Sequence, residues 1–321
     1  MNNFIKICLS IPFVYGLTFA SDQTVDITCF TLDDSKTKII NYDAICGPDV
    51  VIPNTITEIG DYAFSGKNIQ KVVIPKSVKN IDYHAFANNK LTNVDIPDSV
   101  IEIGVSAFSQ NNLTEVKLGE HLMTIDMSAF ADNKILNIVI PNSVTVIKSY
   151  AFKNNKLASI KIGKGLKTIG ESVFANNLAT SITIGINVNE IGSRAFENNY
   201  LTEITIPESV KNIDYHAFAN NKLSKVDIPD SVIEIGVSAF ANNQILDINL
   251  GNNIRTIDLS AFFNNKLVAV TIPASVVKIK DYAFCSNLID EAGITILGDN
   301  PDKFNSQLDD IFCFGKSNRK L

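Results

Sequence analysis

The chain repeats itself every 22 residues. A phenylalanine returns at that interval eleven times without an insertion or deletion, at Phe64, Phe86, Phe108, Phe130, Phe152, Phe174, Phe196, Phe218, Phe240, Phe262 and Phe284. A fixed period of this length is typical of solenoids, in which each repeat is one supersecondary unit stacked on the next. The period therefore constrains the architecture more than any single residue does.

Further apolar columns keep the same register. Isoleucine stands five residues before every phenylalanine, from Ile59 to Ile279, and alanine directly precedes all of them except Phe174. Aliphatic residues stand eight, twelve and fourteen residues before it. Burying six or seven such side chains, at roughly 1.5–3 kcal/mol each, offsets the ordering entropy of one repeat only if the repeats are stacked. The core is thus predicted to lie between neighbouring repeats.

The local pattern predicts the elements of one repeat. In residues 91–97 the apolar Val94 and Ile96 alternate with the polar Asn93 and Asp95, which indicates a short strand with one buried face. A proline or glycine then ends the strand, and the following segment, up to the Ala-Phe pair, predicts a short helix or 3-10 turn. With strands about 4.8 Å apart, eleven repeats predict one continuous parallel sheet roughly 50 Å long.

Asparagine stands three residues after the phenylalanine in ten of the eleven repeats. Asparagine tolerates left-handed backbone angles, and its amide can satisfy backbone groups of a turn in its own or the next repeat. We therefore interpret this ladder as structural and not as a row of ligand contacts: Asn89, Asn111, Asn133, Asn155, Asn177, Asn199, Asn221, Asn243, Asn265 and Asn287.

The repeat pattern L-x-x-I-x-I-P-x-S-V-x-x-I-G-x-x-A-F-x-x-N resembles the BspA-like (treponemal-type) leucine-rich repeats of bacterial and protist surface proteins, over about residues 49–289. The resemblance implies an α/β fold: a right-handed leucine-rich-repeat solenoid with a parallel β-sheet on its concave face and short helices or 3-10 turns on its convex face. It also implies extracellular binding or adhesion, and it transfers no catalytic residue. The constant 22-residue period is slightly tighter than that family's usual repeat, and no cell-wall sorting motif is visible.

The regions outside the repeats suggest export and capping. Lys6, the apolar stretch 7–19 and the small residues Thr18 and Ala20 predict a signal peptide at 1–20. No second apolar stretch is long enough to span a membrane, so no transmembrane segment is expected once the signal is removed. The predicted location is secreted, periplasmic or on the cell surface. Residues 21–48 are expected to form a hairpin-like N-terminal cap, residues 49–289 the eleven repeats, and residues 290–321 a C-terminal cap.

Four cysteines remain after signal removal, namely Cys29, Cys46, Cys285 and Cys313, and all four flank the repeats. In an oxidising compartment the local pairs Cys29–Cys46 and Cys285–Cys313 are the natural expectation, although four cysteines allow three connectivities. A zinc site is the competing interpretation, but no C-x-x-C spacing or neighbouring histidine supports it. No metal site is predicted.

The array also contains a longer duplication. Residues 77–91 are identical to residues 209–223, and residues 94–108 to residues 226–240, an offset of six repeats. Between these blocks only Thr92-Asn93 and Ser224-Lys225 differ. The differences fall on the predicted strand, which fits either a face adapted for binding or an exposed face that drifts freely.

Several classes of function are disfavoured. The formal net charge of −6 argues against a nucleic-acid partner, since phosphate binding needs concentrated positive charge. His84, His121 and His216 have no nucleophile at a suggestive spacing, and neither H-E-x-x-H nor G-x-S-x-G occurs. We therefore predict no catalytic residue, no cofactor and no enzymatic activity.

The outward positions of the predicted concave sheet are the candidate binding residues: Asn93, Asp95, Glu115, Lys117, Ser159, Lys161, Glu203, Lys225, Asp227 and Asp247. Their charges are mixed and aromatic side chains are absent from these positions, which weakens a carbohydrate interpretation and removes the usual anchors of protein hot spots. The sequence predicts a secreted or cell-surface scaffold for protein binding or adhesion, with a protein or cell-surface ligand. The alternatives are a structural envelope component without a specific soluble ligand and, for any single residue, a merely solvated face.

Overall fold

The computed structural model describes residues 27–298 and 304–314, so the predicted signal peptide at 1–20 lies outside the described residues. The chain winds into a solenoid of short parallel strands. We divide it into eleven coils of 22 residues, with coil 1 at 46–67 and coil 11 at 266–287. Each coil contains one phenylalanine of the repeat and ends three residues after it.

Ten of the eleven coils contribute to two rows of strands, and coil 8 contributes only to the second row. Row A is the strand expected from the alternating pattern, at Asp49–Val51, Lys71–Val73, Asn93–Asp95, Glu115–Lys117, Asn137–Ile140, Ser159–Ile162, Ser181–Thr183, Lys225–Asp227, Asp247–Asn249 and Val270–Ile272. Row B was not expected, because each of its strands has only two residues and thus no alternation to detect. Its strands are Glu58–Ile59, Asn80–Ile81, Glu102–Ile103, Thr124–Ile125, Val146–Ile147, Thr168–Ile169, Glu190–Ile191, Asn212–Ile213, Glu234–Ile235, Thr256–Ile257 and Lys278–Ile279.

The expectation of one continuous sheet is wrong. Row A divides into separate sheets of two or three strands. Row B forms two sheets: one joins its first five strands to the two strands of the N-terminal hairpin, and the other contains its last six strands. The proline or glycine slot limits row A strands to three or four residues, since Pro97, for example, has no N–H to donate to a ladder; each pair of coils is therefore joined by few strand hydrogen bonds. Equivalent residues still pair in register across coils, as Val94 does with Val116.

The segment around the Ala-Phe pair, expected to be a short helix or 3-10 turn, forms turns with isolated hydrogen bonds of the 3-10 type and no continuous helix. In coil 3, the Phe108 N–H donates to the Ala129 carbonyl of the next coil at 2.8 Å, while the Ala107 N–H donates to Gly104 within the coil at 3.2 Å. Ser106 and Gln110 adopt left-handed angles, with φ of 53° and 55°. A helix requires consecutive right-handed residues and internal bonds, so this alternation of local and inter-coil bonds excludes it.

The core consists of stacked rings. All eleven repeat phenylalanines are at most 1 % exposed. Neighbouring rings lie parallel to within 11°, with centroids 4.7–5.6 Å apart. Each inner ring therefore buries its two faces against rings of the neighbouring coils, while Phe64 and Phe284 at the ends also contact aromatic rings of the hairpin and of the C-terminal segment.

The asparagine ladder connects neighbouring coils by hydrogen bonds. Asn111 Nδ2 donates to the carbonyl of Phe108 in its own coil at 3.2 Å and to that of Phe86 in the preceding coil at 2.9 Å. Its Oδ1 accepts from the Leu91 N–H at 3.1 Å. Nine of the ten ladder residues are at most 7 % exposed. The side chain thus satisfies buried backbone groups that the turn leaves unpaired.

An antiparallel hairpin, Phe30–Leu32 with Lys38–Tyr42, covers the first coil. Its second strand pairs in parallel with Glu58–Ile59 and so extends row B. Lys38 forms ion pairs with Glu58 and with Asp82 of the second coil, and these hydrogen-bonded carboxylates, Asp82 most strongly, raise the Lys38 pKa. Two 3-10 helices, Ile27–Cys29 and Ala44–Cys46, are joined by the Cys29–Cys46 disulfide.

The C-terminal segment occupies the place that a twelfth coil would take. After the 3-10 helix Glu291–Gly293, the strand Ile294–Ile296 pairs with row A. Asn305–Gln307 (3-10) then leads into the α-helix Leu308–Phe312. The carbonyl of Ile311 accepts from the Phe284 N–H at 3.0 Å, and the Phe312 ring stacks on Phe284 at 5.3 Å. The Cys285–Cys313 disulfide ties this helix to coil 11.

Replacing Cys285 and Cys313 together by serine is expected to lower the free energy of unfolding by about 2–3 kcal/mol, because the crosslink closes a loop and restricts the unfolded chain. The cysteines are 28 residues apart. Chemical denaturation of the double variant beside the wild type measures the loss. A change within about 0.5 kcal/mol would contradict the expectation.

Candidate binding face

We use the term strand face for the outward side chains of row A, the equivalent positions of coil 8, and the exposed residues within four positions before or after the strands. All ten sequence-predicted binding residues lie there and all are exposed. The pairing places Asn93 opposite Glu115 and Asp95 opposite Lys117. Because equivalent side chains of adjacent coils are about 4.8 Å apart, the face presents parallel columns of neighbouring groups.

The ten residues do not converge on one point. They are distributed from coil 3 to coil 10, and Glu203 lies in the segment 200–208, which is not assigned as a strand. The arrangement is an extended surface and not a pocket that encloses a small molecule.

The best-connected charges of the face lie in coils 9 and 10. Lys225 Nζ is 3.5 Å from Asp227 Oδ1 and 3.7 Å from Asp247 Oδ2. The three side chains are 58–72 % exposed, so water screens their attraction.

Replacing Lys225 by alanine is accordingly expected to change the free energy of unfolding by less than about 1 kcal/mol. Urea denaturation of the variant and the wild type, at low and at physiological salt, measures the difference. A loss above about 2 kcal/mol would mean that these charges hold the fold together instead of facing solvent.

The strand face of coils 5–7 is the longest stretch of consecutive coils without a carboxylate; coil 2 (68–76) and coil 11 (266–274) also have none there, but each is a single coil. In coils 5–7, residues 134–142, 156–164 and 178–186 include no carboxylate, although the chain as a whole has 34 acidic and 28 basic residues. Coil 6 presents Lys156, Lys161 and Lys164, all exposed and all without a carboxylate within 4.0 Å among the described residues. Sequence reasoning named Lys161 but missed Lys156 and Lys164. The signal that could have revealed them is the run 133–170, which contains seven lysines and no acidic residue.

Apolar side chains flank the three lysines on both sides. In coil 5, Leu136 is 48 % and Val139 61 % exposed; in coil 7, Leu178 is 45 % and Ile186 64 % exposed. Val139 pairs in register with Lys161. Leu178 and Ile186 occupy the slots of Lys156 and Lys164 one coil later. We call these seven side chains the lysine patch.

The duplicated histidines lie in the turn segment, away from row A, and their surroundings differ. His84 stacks on Tyr62 at 5.1 Å between ring centroids, and burial lowers its pKa. His216 instead places Nδ1 2.9 Å from Glu197 Oε1. Both occupy left-handed turn positions. Within residues 27–298 and 304–314, no three histidine, cysteine or acidic side chains come together in an arrangement that could hold a metal ion.

The described helices are short. The α-helix has five residues, and none of the helices in the described ranges has the length and apolar character needed to span a membrane.

Comparison with known proteins identifies the repeats. The family described as "BspA type Leucine rich repeat region" matches residues 41–159 and 167–289 in six copies. No curated protein matches the chain.

Solved structures of repeat proteins are similar to this chain. A leucine rich cell surface protein from Faecalibacterium prausnitzii is 22 % identical with a TM-score of 0.48, covering 91 % of this chain and 96 % of that one. The pneumococcal vaccine antigen PcpA is 19 % identical with a TM-score of 0.46, covering 84 % and 83 %. A leucine-rich repeat protein from Bacteroides ovatus is 19 % identical with a TM-score of 0.43, covering 85 % and 91 %.

Proposed function

Since the chain belongs to the BspA-type leucine-rich repeat family, we propose that it is a protein-binding scaffold, exported from the cell and acting in adhesion to a protein or cell surface. The proposal includes a right-handed solenoid whose strand face is concave. It assigns no catalytic step to any residue.

The observation that carries the proposal is the difference between the inward positions of each coil and its strand face. The inward residues are almost the same in every coil. The backbone from row B through the turns forms hydrogen bonds to the adjacent coils. The strand face, by contrast, changes its side chains from coil to coil on a backbone of fixed spacing. A rigid frame with a variable exposed surface loses little entropy when it binds, which favours recognition of a macromolecule.

The two duplicated blocks support the same proposal. Across coils 3 and 9 the inward residues of the copies remain identical, while Asn93 is replaced by Lys225 on the strand face. The replacement changes the charge presented there without touching the core, because both residues are exposed.

The test is capture of surface proteins by the purified, intact array. We expect saturable binding of a protein from the surface of the source cells or of neighbouring or host cells, reduced when Glu203 and Asp247 are both changed to lysine. Matched substitutions at Glu102 and Glu234, exposed in row B, serve as the control. Absence of any saturable partner, with the chain embedded stoichiometrically in the envelope, would instead indicate a structural component.

A further inference from the structure

We propose that the lysine patch binds an acidic protein segment whose apolar side chains lie between its carboxylates. This inference rests on the proposed scaffold function and specifies the class of partner. It also specifies the place, the strand face of coils 5–7 near the middle of the array.

Charge sets the patch apart from its surroundings. The coil on either side presents two carboxylates on the same face, Glu115 and Glu120 in coil 4 and Glu203 and Glu208 in coil 8. Between them the face carries lysines and no acid, in a chain whose formal net charge is −6. Such a local reversal favours binding of an acidic group at coils 5–7 over binding at coils 4 and 8.

The lysines of coil 6 are free to take up a ligand. No other described group forms an ion pair with Lys156, Lys161 or Lys164. Other lysines of the same basic run are engaged: Lys134 donates to Asn112, and Lys148 pairs with Asp126. At about 3.3 Å per residue, the spacing of an extended strand, Lys156 and Lys161 are at most roughly 16 Å apart along the chain and Lys161 and Lys164 at most roughly 10 Å. A ligand must therefore carry several negative charges to engage all three.

The apolar side chains select the kind of ligand. Leu136, Val139, Leu178 and Ile186 border the row of lysines, and each is 45–64 % exposed. A polypeptide supplies apolar side chains together with carboxylates, so it can cover both kinds of group. A polyphosphate or sulfated polymer would dehydrate the apolar side chains without giving them a partner, and the patch has no aromatic ring on which bases or sugars could stack. The mixture favours a protein segment.

The duplication provides an internal comparison. Six repeats after Lys156, Lys161 and Lys164 the chain has Leu288, Gly293 and Ile296. These residues belong to the C-terminal segment, which no longer follows the 22-residue period. In coil 9 the strand-face lysines Lys222 and Lys225 stand instead among Asp227 and Asp230. Coil 2 also presents Lys71 and Lys76 without a carboxylate, but both of its neighbouring coils carry acidic residues on this face; three lysines between two coils without a carboxylate occur only in coil 6.

The experiment uses the intact chain and a fluorescent peptide in which glutamate and leucine alternate. Three variants are compared: a patch variant (Lys156→Glu, Lys161→Glu, Lys164→Glu), a matched control on the same face (Lys90→Glu, Lys222→Glu, Lys266→Glu), and an uncharged version (Lys156→Gln, Lys161→Gln, Lys164→Gln). All substituted lysines are exposed, and thermal melting verifies folding. Heparin and phosphatidylserine vesicles are the competing probes.

We expect the wild type and the control to bind the peptide, and the patch variant to bind at least tenfold more weakly, with the glutamine version in between. Raising the salt concentration should weaken wild-type binding, and replacing leucine by serine in the peptide should weaken it severalfold. Equal binding by the wild type and the patch variant would overturn the proposal. The proposal would also be overturned if the wild type bound heparin or the vesicles but did not bind the peptide.

The same variants separate this inference from the proposed function. If the patch variant captures the same saturable surface partner as the wild type, the patch is not the site while the scaffold function stands. If the wild type binds the peptide through the patch but captures no surface protein, the scaffold function fails and the chemistry of the patch stands.

Discussion

Replacing Phe174 by alanine is expected to lower the free energy of unfolding by about 3–5 kcal/mol, because it removes a buried ring and leaves a cavity. Phe174 is fully buried, and its ring lies between those of Phe152 and Phe196 with centroids 5.6 Å away on each side. The neighbours cannot close the gap easily. The Phe174 N–H donates to Ala195 and the Phe152 N–H to Val173, both at 2.9 Å, so the backbone on both sides is held in place.

Chemical denaturation monitored by circular dichroism measures this loss. Val277→Ala is the matched control, since this aliphatic side chain is 68 % exposed and its truncation is expected to cost no more than about 0.5 kcal/mol. A loss below about 1 kcal/mol for Phe174→Ala would mean that the ring stack contributes little to stability.

Replacing Asn177 by leucine is expected to cost about 3–5 kcal/mol, although the two side chains are similar in size. Asn177 Nδ2 donates to the carbonyls of Phe152 at 3.1 Å and Phe174 at 3.0 Å, and its Oδ1 accepts from the Leu157 N–H at 3.0 Å. Leucine leaves these buried backbone groups without this partner, and each unsatisfied group costs about 1–3 kcal/mol. The hydrophobic gain of the leucine offsets only part of that cost.

A second substitution distinguishes lost hydrogen bonds from altered shape. Asn177→Asp keeps the acceptor for Leu157 but places a carboxylate beside carbonyl oxygens, so it is expected to destabilise at neutral pH and to recover partly in acid, where the added proton restores a donor. Asn177→Leu should show no such recovery over the same pH range. The adjacent Asn176→Gly is the control, since Asn176 is exposed and its φ of 57° suits glycine. Equal stability of Asn177→Leu and wild type would show that the ladder is dispensable.

The features that follow the period could be predicted from the sequence. The phenylalanine column and the aliphatic columns lie in the core, and the family resemblance and the solenoid of parallel strands are confirmed. These predictions succeed because a constant interval forces equivalent residues of successive coils into contact. Eleven repetitions of one signal outweigh the ambiguity of any single short strand.

The path of the chain within a coil could not be predicted as well. The strands of row B, such as Glu102–Ile103, are too short for a hydrophobic alternation, and they form only because the neighbouring coil offers a matching edge. The segment around Phe108 was expected to be a short helix or 3-10 turn. Its left-handed residues, such as Ser106, are not glycines, so the local sequence does not predict the interruption of the helix. In both places inter-coil hydrogen bonds override local propensity.

The candidate site shows the same limit. The alternation of apolar and polar residues in the strand places Lys161 on the strand face. Nothing within one repeat indicates that Lys156 and Lys164 belong to the same site. Their common exposure and their apolar neighbours in coils 5 and 7 arise only from stacking. One repeat alone does not reveal such a site; the signals in the sequence are the run 133–170 without an acidic residue and the comparison of equivalent slots across repeats.

The central claim is that adjacent coils share one interior, and a double-mutant cycle on the ring stack tests it most directly. Phe152→Ala and Phe174→Ala, whose rings are in contact, are combined and compared with the pair Phe108→Ala and Phe262→Ala, whose rings stack on other neighbours. We expect a coupling free energy of about 0.5–3 kcal/mol for the adjacent pair and additivity within about 0.5 kcal/mol for the distant pair. Additive losses in both pairs would contradict the claim, because each coil would then be stabilised independently of the next.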